Sequence, residues 1–215
     1  MKTSRVQRHL KRILDVIVSG AAIILLCPIF ALIAIAIWAN MGRPVLFRHR
    51  RPGYRARPFT MLKFRTMSDA CDSAGNLLPD PERLTWLGGF LRRSSLDELP
   101  QLWNVFKGEM SLVGPRPLMM EYLEKYTPEQ ARRHEVKPGL TGWAQLHGRQ
   151  DLLFSKRLEM DVWYVNYGSF VLDLKLIFLT LINLHKLSAA GANPDVAKTD
   201  DLGLFALIRK QKVNS

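Results

Sequence analysis

The chain has 215 residues and a formal net charge of +12, so it is long enough for one domain with a sizeable core and basic enough to suggest an anionic partner. The charge is uneven, because residues 1–70 contain thirteen Lys or Arg against two Asp, whereas the remainder is nearly balanced. The sequence has no zinc-finger spacing or RNA-binding aromatic signature, so anionic lipid headgroups explain the charge better than nucleic acid does. One cysteine lies in an apolar run and the other in a polar stretch, which argues against a disulfide.

An apolar run occupies residues 13–39 and has Asp15 near its start. As a straight helix it would measure about 40 Å at ~1.5 Å per residue, enough to cross a hydrocarbon layer of ~30 Å. Both flanks are rich in Lys and Arg, however, and Pro28, preceded by Cys27, removes a backbone donor near the middle. These features favour a helix-break-helix that enters one leaflet and returns, with a mild kink in a spanning helix as the alternative.

A small β-hairpin is predicted next. Residues 45–49 and 59–64 are short strand-like runs on either side of a Pro-Gly turn. Lys63 and Arg65 alternate along the second run, so strand geometry predicts both cations on one face. That face is either a binding surface or a solvated edge protected by charge.

The stretch SSLDELPQLWNV, residues 94–105, contains the adjacent carboxylates Asp97 and Glu98. In one interpretation they cap a helix, since Ser95 and Glu98 have the spacing of a capping box and Asp97 could itself be the N-cap. The apolar residues that recur at helical spacing would then form a buried face: Leu96, Leu99, Leu102, Trp103 and Phe106. Taken alone, the stretch favours this interpretation.

Several basic residues surround the two carboxylates in the sequence. Arg92 ends a predicted helix over residues 84–93, and Arg116 lies between two prolines that restrict its backbone. The segments 109–117 and 136–150 are otherwise interpreted as ordinary turns. A carboxylate pair among arginines suits a polyanionic substrate, which at a membrane face could be a lipid phosphate. The basic residues of this set are Lys63, Arg65, Arg92, Arg93, Arg116 and Arg149.

A final apolar stretch, residues 169–186, has the length and periodicity of a helix but contains Asp173 and Lys175. At about 27 Å, with charges near its start, it suits an interfacial or core helix better than a transmembrane one. The predicted fold is therefore mainly α with a small β-hairpin.

Four ordered motifs, KFRTM, SLDELPQLWNV, MSLVGPRP and KPGLTGWAQ, follow an apolar segment that has a KR…D start. Over roughly residues 8–187 the chain resembles the bacterial sugar transferase family of monotopic phosphoglycosyl transferases. The resemblance implies an N-terminal re-entrant membrane helix at 1–41 and a catalytic domain with interfacial amphipathic helices at 42–187. It also implies a location at the bacterial inner membrane, with the catalytic domain on the cytoplasmic face. Residues 188–215 form a linker and tail outside the resemblance.

The activity implied by the resemblance is transfer of a phosphosugar from a UDP-sugar to a polyprenol phosphate of the undecaprenyl type, with release of UMP. Asp97 would be the nucleophile that forms a phosphosugar-aspartate intermediate, which the polyprenol phosphate then attacks. A phosphate monoester has a second pKa near ~6, so UMP can leave without full protonation. Glu98 is therefore expected to be a metal ligand or an orienting group rather than an obligate general acid. The implied cofactor is Mg²⁺, held by Asp97, Glu98 and diphosphate oxygens. The implied phosphate contacts are Lys63, Arg65, Arg92, Arg116 and Arg149.

The resemblance assigns supporting roles to other residues. Asp161 and Asp173 would support the active site, with surface or capping roles as the alternative. The family usually has Ser-Pro where this chain has Cys27-Pro28, and a thiol bonds the carbonyl freed by proline more weakly than a hydroxyl does. The residues that would fix where the chain enters the membrane are Lys11, Arg12 and Asp15.

A second hypothesis assigns the chain to a different functional class. It would be a non-catalytic membrane scaffold that recruits anionic lipid or partner enzymes in glycan assembly. For such a protein Asp97 would be dispensable, whereas a phosphoglycosyl transferase of this family would need it.

Overall fold

The computed structural model describes residues 5–147, 152–190 and 200–203. Over these residues the chain is mainly helical, as predicted, with two small sheets of two strands each. The helices are α1 (Arg5–Leu25), α2 (Cys27–Met41), α3 (Asp80–Arg83), α4 (Trp86–Arg93), α5 (Gln101–Lys107), α6 (Pro128–Ala131), α7 (Trp143–His147), α8 (Phe154–Tyr167) and α9 (Phe170–Ala190). The strands are β1 (Leu46–Pro52), β2 (Pro58–Phe64), β3 (Ser111–Val113) and β4 (Gly139–Thr141).

Helices α1 and α2 form one bent unit, broken at Leu26 and inclined by 60°. Pro28 lies in the first turn of α2, where a missing N–H removes no hydrogen bond within the helix. The predicted helix-break-helix is confirmed, and the bend is larger than a mild kink. Among the described residues no single helix is long and apolar enough to cross a membrane, whereas this bent pair together has the length and composition to do so.

The predicted hairpin is also confirmed. Strands β1 and β2 pair antiparallel, and a short 3-10 turn at Tyr54–Ala56 joins them. Met61 is buried in the core, so Lys63, two residues further along β2, lies on the same face of the strand. The hairpin thereby directs Lys63 toward the segment that contains the two carboxylates.

A second sheet pairs β3 and β4 in parallel over three residues each. The interpretation of these segments as ordinary turns is therefore wrong. The segments that follow β3 and precede β4 approach so closely that a Cβ at Gly114 would lie 2.3 Å from the carbonyl oxygen of Lys137. Glycine directly after β3 allows this close approach, and the loop that contains Arg116 follows it.

Two of the three buried clusters among the described residues surround the candidate site. The larger lies between β2, α5, the short β3 strand and helices α8 and α9, and comprises Met61, Val105, Met110, Leu112, Val113, Tyr164 and Leu176. The second packs α2 against β2 and α4, and comprises Ile33, Ile37, Phe64 and Leu91. The bent pair is therefore packed on the rest of the fold through α2 as well as α1.

The buried face predicted around α5 is only partly correct. Leu102 is buried, but Trp103 and Phe106 are 48% and 38% exposed and stack on each other, with ring centroids 5.6 Å apart. The helix begins at Gln101, so the apolar residues before it do not continue its helical face. The buried positions of α5 are Gln101, Leu102, Asn104 and Val105.

Candidate active site

Asp97 and Glu98 lie in a one-turn 3-10 segment, Leu96–Glu98, that precedes α5. Ser95 has φ = 56°, which is left-handed, and its side chain makes no cap hydrogen bond. An N-cap residue needs extended backbone, so the predicted capping box is wrong. Asp97 does not cap a helix either, because the residue before α5 is Pro100. The two carboxylates are therefore available for other contacts.

Glu98 pairs with two cations. Its Oε1 accepts hydrogen bonds from Lys63 Nζ and from Arg116 Nη2, each at 2.6 Å. Burial of the carboxyl would raise its pKa, but the charges and hydrogen bonds of Arg116 and Lys63 outweigh burial and hold the pKa of Glu98 at about 2. Glu98 is therefore ionised at neutral pH and fixes the positions of both cations.

Asp97 has a different environment. It is buried, and its nearest cation is Lys63, whose Nζ lies 3.7 Å from Oδ2. Burial raises the pKa of Asp97, and the negative charge of Glu98 adds to this effect, while the positive charge of Lys63 opposes it. A carboxylate with a raised pKa is more basic and a better nucleophile. The pair therefore consists of one strongly paired acid and one less compensated acid.

Asn104 fixes the strand that carries Lys63. This side chain is buried; its Oδ1 accepts from Leu62 N at 3.0 Å, and its Nδ2 donates to Thr60 O at 2.8 Å and to Glu109 Oε2 at 2.7 Å. The amide thus ties β2 to α5, the two elements on either side of the carboxylates. Sequence reasoning did not single out Asn104 although it lies in the SLDELPQLWNV motif, since its partners in β2 lie 42 and 44 residues away.

Arg116 is held through its backbone by a buried ion pair. Arg133 Nη2 donates to the Arg116 carbonyl oxygen at 2.6 Å, and the same guanidinium donates to Asp161 Oδ2 through Nε at 3.1 Å and Nη2 at 2.7 Å. The predicted supporting residue Asp161 thus reaches the site through Arg133. Arg133 was missed because the two partners that connect it to the site, Arg116 and Asp161, lie 17 and 28 residues away.

The other cations predicted to contact phosphate do not all lie beside the two carboxylates. Arg92 donates from Nε to Thr66 Oγ1 at 3.1 Å, and its charge lowers the pKa of the neighbouring Asp97. Arg65 is buried and directed elsewhere: it donates to the carbonyl oxygens of Met41, Arg43 and Met67, and it pairs with Asp69 at 2.6 Å. Arg65 N still donates to Val45 O, so the hairpin pairing reaches it, but none of these side-chain contacts is with Asp97 or Glu98. A role of Arg65 as a phosphate contact stays a prediction. Arg149 lies outside the described residues.

The charged residues at the start of α1 contact the elements around the site. Lys11 Nζ lies 2.7 Å from Asp173 Oδ2 and donates to Val113 O at 3.0 Å, and Tyr164 Oη donates to Asp173 Oδ1. Asp173 therefore contacts α1 and α8 and is not in contact with the two carboxylates within the described contacts. Further contacts run from Arg12 to the carbonyl oxygens of Val105 and Phe106, and from Asp15 to Ser111 Oγ and Leu112 N.

The carboxylates fit a metal site that substrate completes. Within the described residues no group of three or more His, Cys, Asp or Glu side chains could hold a metal ion. Mg²⁺ is commonly held by one or two carboxylates together with water and substrate phosphates. Glu98 pairs with its cations through Oε1, and Asp97 approaches Lys63 through Oδ2, so each retains a second oxygen. Asp97 and Glu98 are thus chemically suitable as the protein ligands of such a site.

Comparison with known proteins agrees with the motifs. The bacterial sugar transferase family matches residues 6–186. The chain is 56% identical over 175 residues to an uncharacterized sugar transferase, EpsL, of Bacillus subtilis (strain 168), covering 80% of this chain and 85% of the relative. It is 37% identical over 188 residues to the exopolysaccharide production protein ExoY of Rhizobium meliloti (strain 1021), covering 80% and 83%.

A further relative is named for its activity. The chain is 39% identical over 188 residues to the UDP-glucose:undecaprenyl-phosphate glucose-1-phosphate transferase of Escherichia coli (strain K12). The match covers 83% of this chain but 40% of that longer protein. The family predicted from the four motifs is confirmed: the chain belongs to the bacterial sugar transferase family and is an enzyme of the transferase class.

Proposed function

We propose that this protein transfers a sugar 1-phosphate from a UDP-sugar to a polyprenol phosphate of the undecaprenyl type, releasing UMP, as a first membrane step of glycan assembly. The observation that carries the proposal is the pairing of Glu98 with Lys63 and Arg116 directly beside the less compensated Asp97. Relatives named as undecaprenyl-phosphate glucose-1-phosphate transferases support the reaction class.

In the first half-reaction a carboxylate oxygen of Asp97 attacks the sugar-bearing phosphorus of the donor. The bond from that phosphorus to the bridging oxygen breaks, and its electron pair leaves with UMP. The product is a phosphosugar-aspartate intermediate. UMP leaves as a phosphate monoester with a second pKa near ~6, so the step needs no strong general acid.

In the second half-reaction an oxygen of the polyprenol phosphate attacks the phosphorus of the intermediate. The bond from phosphorus to the Asp97 oxygen breaks, which regenerates the carboxylate and forms a polyprenol diphosphate sugar. Both half-reactions use the same nucleophilic carboxylate in turn, so the kinetics are ping-pong.

Approach of Asp97 to a diphosphate brings like charges together. The repulsion amounts to about 4 kcal/mol for each unit-charge pair at ~4 Å and an effective dielectric constant of ~20. Lys63 and Arg116, which Glu98 orients, and Arg92 beside Asp97 offset it. Mg²⁺, held by Asp97 and Glu98, would supply further neutralisation of the diphosphate when bound.

We further propose that the bent α1–α2 pair lies in one leaflet and returns to the cytoplasmic face. The 60° bend and the Lys and Arg residues on both flanks support this arrangement. A polyprenol phosphate presents its headgroup at the membrane surface, so the acceptor and the candidate site would meet there. The exposed apolar side chains on α4 and α9, which include Trp86 and Phe178, suit an interfacial setting.

The test uses purified protein with a panel of UDP-sugars, Mg²⁺ and undecaprenyl phosphate. We expect UMP release and, without acceptor, a phosphosugar adduct on Asp97 detectable by mass spectrometry. Asp97→Asn should lose both, by at least ~100-fold in rate, since it removes the nucleophile. Asp80→Asn is the matched control, because Asp80 is 62% exposed and pairs with Arg83. Full turnover by Asp97→Asn would reject the covalent mechanism, whereas a wild type that releases no UMP from any UDP-sugar would favour the scaffold hypothesis.

A further inference from the structure

Arg51 lies on the face of the hairpin that carries Lys63. In the register of β1 and β2, Arg51 is opposite Phe59, and Lys63 is opposite Phe47. Residues directly opposite each other in an antiparallel pair point to the same side, and every second residue of a strand shares that side. Arg50 points to the other side and is exposed.

Arg51 is partly buried, with a fully buried Nε, and it has no matching anion among the described residues. Its Nε has no hydrogen-bond partner among the described residues, and its Nη2 contacts the Nδ1 of His49 at 3.2 Å. Burial lowers the pKa of Arg51, the charge of Arg116 lowers it further, and the charge of Glu121 opposes both effects. No carboxylate within the described residues forms an ion pair with Arg51. A cation whose donor is buried and unpaired is costly unless an anion is brought to it.

Arg116 connects Arg51 with the carboxylate pair. Its Nη2 donates to Glu98, while its charge acts on the pKa of both Arg51 and Asp97. Arg116 also lines one small cavity with Pro52, the residue directly after Arg51, so the two arginines approach the same region. Two like charges in one region attract an anion. Phosphoryl oxygens match the planar fork of donors that each guanidinium presents.

We infer that Arg51, together with Arg116, binds a phosphoryl group of a substrate, and that Arg51 is therefore a substrate-binding residue of this enzyme. The inference rests on the proposed function, because that reaction supplies the phosphoryl groups. Two sources share this chemistry: the diphosphate of the nucleotide donor and the phosphate of the polyprenol acceptor. The geometric basis is the buried, unpartnered Nε on the same hairpin face as Lys63.

The test compares Arg51→Gln and Arg51→Lys with Arg50→Gln. Arg50→Gln removes the same charge from the adjacent residue, on the opposite face of β1. For each variant, kcat and KM are measured for the UDP-sugar that the wild type accepts and for undecaprenyl phosphate. Binding of inorganic pyrophosphate is measured by calorimetry, and folding is checked by circular dichroism.

We expect Arg51→Gln to raise one KM by about tenfold or more, the usual scale for loss of a charge-assisted hydrogen bond, with kcat changed less than about twofold. A rise confined to the UDP-sugar identifies the donor diphosphate, and a rise confined to undecaprenyl phosphate identifies the acceptor. Arg51→Lys should recover little of the loss, because a point charge lacks the fork. Arg50→Gln should change neither KM by more than about twofold.

Three results would overturn the inference: both KM values equal to those of Arg50→Gln, a fall in kcat alone, or failure of both Arg51 variants to fold. If the wild type itself releases no UMP from any UDP-sugar, the proposed function fails instead. The pyrophosphate measurement then still decides about Arg51, since weaker binding by Arg51→Gln than by Arg50→Gln supports the phosphoryl site and equal binding rejects it.

Discussion

Replacing Glu98 by glutamine removes the charge that compensates Lys63 and Arg116 while keeping the side chain's shape. The folded protein holds the pKa of Glu98 at about 2, compared with an ordinary value of 4.5. Each tenfold change in proton affinity corresponds to ~1.4 kcal/mol, so the ionised Glu98 stabilises the fold by about 3 kcal/mol at neutral pH. The Glu98 side chain is 19% exposed, so solvent screens this contribution little.

The pH dependence of this contribution has a definite sign. The pKa of Glu98 is lower in the folded state, so its stabilisation is complete above pH 4.5 and is lost as the pH falls toward 2. Glutamine resembles the protonated acid at every pH. We therefore expect Glu98→Gln to cost about 3 kcal/mol at pH 7 and about half as much at pH 3.

Thermal unfolding in detergent, followed by circular dichroism, measures this difference. For a chain of this length about 3 kcal/mol corresponds to a fall in Tm of roughly 6–12 °C at pH 7. Glu159→Gln is the control, because Glu159 is 62% exposed in a surface pair with Lys156 and should cost less than ~1 kcal/mol. A Tm for Glu98→Gln within about 2 °C of the wild type at pH 7, or a difference that stays constant down to pH 3, would refute the reasoning.

Two further predictions concern packing and topology. Gly88→Ala should destabilise the protein by about 1–3 kcal/mol in chemical unfolding, because a Cβ there would lie 1.8 Å from the carbonyl oxygen of Thr66. The control Gly89→Ala, whose Cβ would meet only the flexible end of Arg93 at 3.4 Å, should be neutral, and equal costs would contradict the packing argument. Reporters fused to the two termini should both report the cytoplasmic side, and opposite sides would reject the re-entrant arrangement.

The bend and the hairpin were predictable because their causes are local in sequence. Pro28 is tolerated in the first turn of a helix but not in its interior, so it marks a break in the apolar run. The Pro-Gly pair between two strand-like runs likewise marks a turn, which the structure forms just after it, at Tyr54–Ala56. The parallel pair β3 and β4 was not predictable in the same way. Each strand has three residues, and the paired residues are 28 apart, so no period within either segment reveals the pairing.

The residues of the candidate site were likewise predictable only in part. Asp97, Glu98, Lys63 and Arg116 were found from ordered motifs, and the structure brings these four side chains together. The predicted cap failed because the left-handed backbone at Ser95 ends α4 and starts a separate turn before α5, which spacing alone does not reveal. Arg51 was treated only as part of a basic flank, since the sequence does not show that its Nε is buried.

The N-terminal charges contact the elements that build the site. Arg12 donates to carbonyl oxygens of Val105 and Phe106 at the end of α5, the helix that follows the carboxylates. Asp15 accepts from Leu112 in β3, the strand that precedes Arg116. These contacts connect α1 to both elements that position the Glu98–Arg116 pair, because α5 fixes one partner and β3 the other. Helix α1 thus contacts both elements that flank the Glu98–Arg116 pair, so we expect substitutions of Arg12 or Asp15 to affect the candidate site as well as the packing of α1.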